Sequence, residues 1–196
     1  MFAALAGVAA GLVHVVSGPD HLAAVAPLAA DGGHRQQWRA GLQWGLGHTA
    51  GVLLIGALLI AFREVLPIDR ISGAGERVVG AALLVVAVWA FTRARSPRPH
   101  VHPTVGASFA MGTLHGVAGS SHLFGILPAL ALPSQASAVF YLVGFGTGAV
   151  FGMTVFASLI GVVSTCAAKR GINAHRGVLY ACSCAAFLVG SFWLVT

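Results

Sequence analysis

His14 and His21 stand seven residues apart in the segment GLVHVVSGPDHLAAVAPLAA, residues 11–30, and His115 and His122 stand seven apart in GTLHGVAGSSHLFGILPALA, residues 112–131. Seven residues are about two helical turns, so each pair would share one face of a regular helix. The two segments align without a gap, keeping Gly11/Gly112, His14/His115, Val16/Val117, Gly18/Gly119, His21/His122, Leu22/Leu123, Pro27/Pro128 and Ala30/Ala131. Matches of Ala, Gly and Leu come cheaply in so apolar a chain; matches of two His and a Pro do not. His48, in Trp44-Gly45-Leu46-Gly47-His48-Thr49, is a fifth candidate, since Gly45 and Gly47 permit close helix approach. Asp20 is the one carboxylate in the interior of an apolar run, and its counterpart in the second segment is Ser121, so the acid breaks the symmetry. A single intramembrane His often does no more than hydrogen-bond a neighbouring helix, but a repeated His motif with a carboxylate points to an ion or proton path. Imidazole with a few oxygen ligands suits divalent nickel, cobalt, zinc, iron, manganese or copper, and the absence of Cys from the group argues against a soft-metal site.

The elements that carry these residues follow from composition. Of 196 residues, 57% are hydrophobic and only 8% are Asp, Glu, Lys or Arg, with a mean hydropathy of +0.86. A soluble domain carries roughly 25% charged residues, so this chain lacks the polar groups to cover a globular surface in water. Large extramembrane domains are excluded too. The net charge of +6 falls in segments between apolar runs, without a basic stripe interleaved with aromatics, and this excludes a nucleic-acid partner. Six apolar runs, about 2–30, 40–62, 74–92, 105–132, 137–166 and 177–195, are each long enough to cross a bilayer. The alternation of a β-barrel is absent, which leaves helices as the spanning elements.

The first, third and fifth connections carry Arg35, Arg39, Arg93, Arg95, Arg98, Lys169, Arg170 and Arg176. The second and fourth hold only Arg63, Arg70 and Arg77, offset by Glu64, Asp69 and Glu76. The excess of positive charge places the odd connections in the cytoplasm and both termini outside. Residues 1–17 resemble the apolar part of a signal peptide but lack a basic flank, and the repeat that begins at Gly11 argues against cleavage. The repeat continues more weakly into the next helices, with Trp44-Gly45-Leu46-Gly47 against Val143-Gly144-Phe145-Gly146. The expected fold is therefore an all-α integral membrane domain over residues 1–196, with six helices in a 3+3 inverted repeat, about 1–95 and 105–196. An odd number of crossings turns the second copy upside down. Helices 1 and 4 are longer than a straight span needs and contain Gly18-Pro19 and Gly116 with Gly119, so both are expected to break near the midplane.

Other residues receive plainer readings. His100 and His102 lie in a Pro-rich loop, His34 and His175 among basic loop residues. Cys182 and Cys184 sit about 200° apart on a regular helix, which disfavours a chelate, and with Cys166 they read as packing residues without a disulfide.

Residues 11–30 with His14, Asp20 and His21, followed by residues 44–49, resemble the UreH-like and nickel/cobalt permease group, a six-helix, LysE-superfamily-like type of transporter. The hallmark of that group is a His and an Asp-His pair in an early helix; here Val15 to Pro19 separate them by five residues, one more than in the common signature, and the chain is shorter than the eight-helix permeases. The resemblance implies transport of nickel or cobalt, with His14, Asp20 and His21 as ligands. The expected function is secondary transport of a divalent metal through His14, Asp20, His21, His48, His115 and His122, not an enzymatic activity. The ion is cargo, and no prosthetic group is expected. Partners are the bilayer, here a bacterial cytoplasmic membrane, and the metal, with a homo-oligomer allowed. No phosphate-loop motif for ATP is present. Two alternatives use the same residues differently: a membrane electron carrier with His-ligated haem or a metal centre, and an exporter of small organic solutes on the same scaffold.

Overall fold

The computed structural model describes residues 2–31, 37–62, 68–96, 105–118, 125, 127–129 and 131–195, and among these there are helices and no strand. The helices are α1 (Phe2–Ser17), α2 (Pro19–Asp31), α3 (Gln37–Phe62), α4 (Ile68–Arg95), α5 (Val105–Ala118), α6 (Gln135–Arg170) and α7 (Ile172–Val195). The Gly18-Pro19 break is where the sequence requires it: α1 stops at Ser17, Pro19 takes the first position of α2, where its missing N–H is no loss, and the axis bends by 75°. Ser134 caps α6, its hydroxyl accepting from the Ser137 N–H at 3.2 Å. Between α6 and α7 only Gly171 intervenes, at a φ of 126° that residues with a side chain rarely adopt.

Three expectations on boundaries are corrected. The connection over 169–176 shrinks to Gly171, because both flanking helices continue through their basic residues. The charged stretch 63–77 is helical from Ile68 onward. Gly116 does not break the fourth apolar run: it lies inside α5, where it lets two backbones touch, and α5 ends at Ala118. Gly119 lies outside the described residues.

Ala74–Arg95, α6 and α7 are each long and apolar enough to cross a membrane, and α1 with α2 makes a fourth, broken span. Four of the six expected spans thus have a counterpart by length and composition among the described residues. Large apolar side chains such as Val143, Phe151 and Leu159 of α6 and Phe187, Leu188 and Phe192 of α7 face outward, while His21, His48 and His115 are buried. An apolar exterior around buried ionisable side chains suits lipid as the surroundings and marks a membrane protein.

Packing is governed by glycines. A Cβ added at Gly11 would fall on the Phe145 carbonyl of α6, and one at Gly112 on the Trp44 carbonyl of α3. Likewise Gly148 abuts Val8 as Gly47 abuts Phe109, and Gly146 abuts Thr49 as Gly45 abuts Val150. In each of these pairs one contact becomes the other when 101 is added to the lower residue number and subtracted from the higher. This shift equals that of the first segments (14 to 115) but not the shift of 99 read for the second helices. Trp44 therefore corresponds to Phe145 and Gly47 to Gly148, which corrects the expected match of Trp44–Gly47 with Val143–Gly146. Helix α1 runs alongside α6 and α5 alongside α3, both in parallel. Helices α4 and α7 run antiparallel and meet where Gly80 and Gly190 face each other's carbonyls.

Helix α2 lies at the centre, with Ala23 to Asp31 all buried. At its C-terminal end the helix ends that flank the first, third and fifth connections meet. Arg93 grips Asp31 through Nε and Nη2 at 3.0–3.2 Å. Ser164 donates to the Ala30 carbonyl at 2.6 Å and bonds His175 Nδ1 at 3.0 Å, and Gln37 donates to Thr165 at 2.9 Å. Arg93, read from sequence as a charge in a connection, thus forms a helix-borne pair with Asp31, and His175, read as a loop residue, is a half-buried helix residue with a partner.

Candidate functional site

Four helix segments end or pass at the α1–α2 break, and each brings a histidine to it. His14 sits in the last turn of α1, His21 in the first turn of α2, His48 midway along α3 and His115 in the last turn of α5. The bend at Gly18 ends the common helical face that the seven-residue spacing implies, yet it folds the two rings together, with centroids 4.7 Å apart. Gly18 is required there, because a Cβ would strike the His21 imidazole and the Asp20 carboxylate. His48 and His115 both reach His21 because Gly47, Gly51 and Gly116 bring α3 and α5 into backbone contact.

The rings of His14 and His48 stack at 5.4 Å, and His21 meets His48 at 4.8 Å and His115 at 5.0 Å. Asp20, in the first turn of α2 where the helix dipole favours a negative charge, accepts from His21 Nδ1 at 2.9 Å and from His115 Nε2 at 3.0 Å. All five side chains are buried, none more than 9% exposed. Two triangles of potential ligands result, His14–His21–His48 and Asp20–His21–His115, each with its donor atoms within 4.8 Å of one another. Such a set of nitrogens with one carboxylate matches the donor preference of divalent transition metals.

Five of the six residues singled out from sequence therefore converge. The sixth, His122, lies outside the described residues, as do His34, His100 and His102. Of the three cysteines read as packing residues only Cys182 is buried; Cys166 and Cys184 are exposed on the helix exterior, which corrects their reading, and none of the three joins the cluster. Two aromatic walls went unread. Phe145 lies 5.3 Å from the His14 ring and Trp44 5.6 Å from the His115 ring. These contacts exchange under the shift of 101, so a correct register for the second helices would have disclosed both.

No family model matches the chain, and no solved structure matches it. It is 37% identical over 174 residues to "Chloroplast protein FOR GROWTH AND FERTILITY 2" of Arabidopsis thaliana, covering 81% of this chain and 46% of that protein. It is 32% identical over 180 residues to "Chloroplast protein FOR GROWTH AND FERTILITY 1" of the same plant, covering 81% and 49%. The chain thus spans about half the length of these two relatives. "Urease accessory protein UreH" of Bacillus sp. (strain TB-90) is 28% identical over 193 residues, covering 88% of this chain and 82% of that protein. The chain is therefore similar, at a distance, to a UreH protein along most of both lengths.

Proposed function

We propose that this chain is a secondary transporter of divalent transition-metal ions, nickel or cobalt before zinc, iron or manganese. The observation that carries the proposal is the cluster of four buried imidazoles and a buried carboxylate at a helix break. Ionisable groups buried inside a membrane protein are costly and are typical of ion pathways, and a broken helix is tolerated at that depth where it lines a cavity or is packed in protein. Similarity to UreH supports the permease reading, and the early-helix motif of His14, Asp20 and His21 supports nickel or cobalt as cargo.

The architecture proposed is six spans as two inverted repeats. Glycine contacts that exchange under one shift, and the meeting at one end of the helix ends that flank the three odd connections, support it. Transport would run by alternating access: the ion exchanges water for imidazole nitrogen at the break, and movement of one repeat against the other opens the site to the opposite side. His122, on the segment that repeats His21, belongs to the proposed residue set. The ion is substrate, no prosthetic group is invoked, and neither enzymatic nor electron-transfer chemistry is needed. The four imidazole pairs whose ring centroids lie 4.7–5.4 Å apart are too close to stand on opposite faces of a porphyrin, which favours an ion over haem for those pairs. The proposed setting is a bacterial cytoplasmic membrane, with both termini outside.

The test is uptake by proteoliposomes of the full chain, with a panel of nickel, cobalt, zinc, iron and manganese. The expected result is saturable uptake of nickel or cobalt that His14→Ala and His21→Ala each abolish while the protein still inserts. Wild-type rates in both variants would remove the proposal.

A further inference from the structure

We propose that Asp20 is a positioning residue and not a metal ligand: it holds His21 and His115, while the ion is coordinated by His14, His21 and His48. This inference rests on the transporter reading above and divides its residue set in two.

His21 belongs to both triangles and so fixes the division. An ionised carboxylate only accepts hydrogen bonds, so the two nitrogens facing Asp20, His21 Nδ1 and His115 Nε2, carry the protons. In a neutral imidazole one nitrogen donates and the other has the lone pair. His21 therefore offers a metal its Nε2, on the opposite side of the ring from Asp20. His14 and His48, whose rings pack against His21 at 4.7 and 4.8 Å, supply the other nitrogens of that triangle. For metal–nitrogen bonds of about 2.0–2.1 Å, tetrahedral donors stand about 3.4 Å apart. Each of the three residues has a donor nitrogen within 4.8 Å of the others', a separation about 1.4 Å wider than tetrahedral metal–nitrogen bonding requires.

Using Asp20 as a ligand would break its two bonds and release the tautomer that they hold. Left in place, it is the outer carboxylate of a carboxylate–histidine–metal arrangement, which orients the ring and raises its basicity. The same carboxylate bonds α2 of the first repeat to α5 of the second through His115. An ion on His21 thus bears on a contact between repeats. The sequence agrees with a one-sided role: the shift of 101 puts Ser121 opposite Asp20, so the second repeat has no carboxylate to orient His122 in this way.

The experiment titrates purified full-length protein with cobalt(II) and reads its visible ligand-field absorption together with X-ray absorption at the cobalt edge. Asp20→Asn keeps the shape and can still accept from His21. The expected result is an unchanged ligand-field spectrum and an unchanged count of coordinated imidazoles, with affinity lowered about 10–100-fold. His14→Ala, His21→Ala and His48→Ala should each change the spectrum and remove one imidazole. A changed first shell in Asp20→Asn, or wild-type affinity in it, overturns the positioning role alone. Wild-type binding by all three His variants overturns the transporter reading as well. Should Asp20→Asn fail to fold, infrared difference spectra of the wild-type protein decide: carboxylate stretches shifted as on metal coordination, and assigned by isotope-labelled aspartate, overturn the proposal, whereas unshifted stretches support it.

Discussion

The Asp31–Arg93 pair allows an asymmetric prediction. Its two partners differ in burial, the Asp31 side chain being 4% exposed and that of Arg93 13%. Removing one partner of a buried ion pair costs about 3–5 kcal/mol, because the other charge is left without compensation. Arg93→Gln strands Asp31, the more buried group. It also leaves a negative charge at the C-terminal end of α2, where the helix dipole opposes it by about 0.3–1 kcal/mol. Asp31→Asn strands Arg93, which reaches solvent more easily on its longer stem and keeps an amide oxygen to bond. Arg93→Gln should therefore destabilise by about 3–4 kcal/mol and Asp31→Asn by about 1–2 kcal/mol. At about 2–4 °C per kcal/mol for a chain of this length, the melting temperature falls by about 6–16 °C in the first variant and about 2–8 °C in the second. Arg93→Lys should lie between, since it keeps the charge and loses the two-pronged grip. The assay is tryptophan-fluorescence melting in detergent with the double variant included, whose loss should be smaller than the sum of the two singles. Equal losses from Arg93→Gln and Asp31→Asn, or an additive double variant, would refute the reasoning.

Gly116→Val puts a side chain on the His48 carbonyl. It should cost at least about 3 kcal/mol by separating α3 from α5, with cobalt binding lost alongside; a stable variant with normal binding would show that the helix contact does not position His48 and His115. Gly171→Ala forces a side chain into a backbone conformation that glycine alone tolerates and should lower stability by about 1–3 kcal/mol without altering the metal spectrum, as thermal melting would read. Lowering the pH should weaken metal binding progressively, because imidazole must be unprotonated to coordinate; cobalt titrations across the acid range that give one constant affinity would contradict ligation by His. A reporter fused after Thr196 should be active only outside the cytoplasm, and cytoplasmic activity would reverse the orientation inferred from the odd connections.

How much of this was legible in the chain is clear from particular residues. His14, His21 and His115 were found because a polar, ionisable side chain in an apolar run stands out, and because the run is repeated. Gly18-Pro19 announced its break, since proline and glycine act on the backbone locally. Gly116 misled for the same reason: a glycine in a helix serves either a bend or a close approach, and only the presence of α3 decides which. Trp44 and Phe145 were hidden by register, because an aromatic in an apolar helix carries no periodic signature. Arg93 was assigned to a loop because charge in so apolar a chain is read as a boundary, whereas the fold pairs it with Asp31 inside the helical ends.

The shift of 101 relates backbones and glycine contacts between the two halves, but it does not relate their chemistry. His14 and His115 are equivalent by position and face equivalent aromatic walls, Phe145 and Trp44. Yet His115 bonds a carboxylate that the first repeat supplies, while His14 lies with the imidazoles of His21 and His48. A single departure, Asp20 where the second repeat has Ser121, is enough to make this difference, because it decides which nitrogen of each bonded ring holds its proton. A site made of two equal halves would present an ion with the same donors from either direction. With Asp20 on one half only, the proposed ligands His14, His21 and His48 lie on the first repeat, and the bond from Asp20 to His115 joins the two repeats behind them. Under the proposed alternating access, the ion's grip on His21 and the contact between the moving parts are then properties of one side chain.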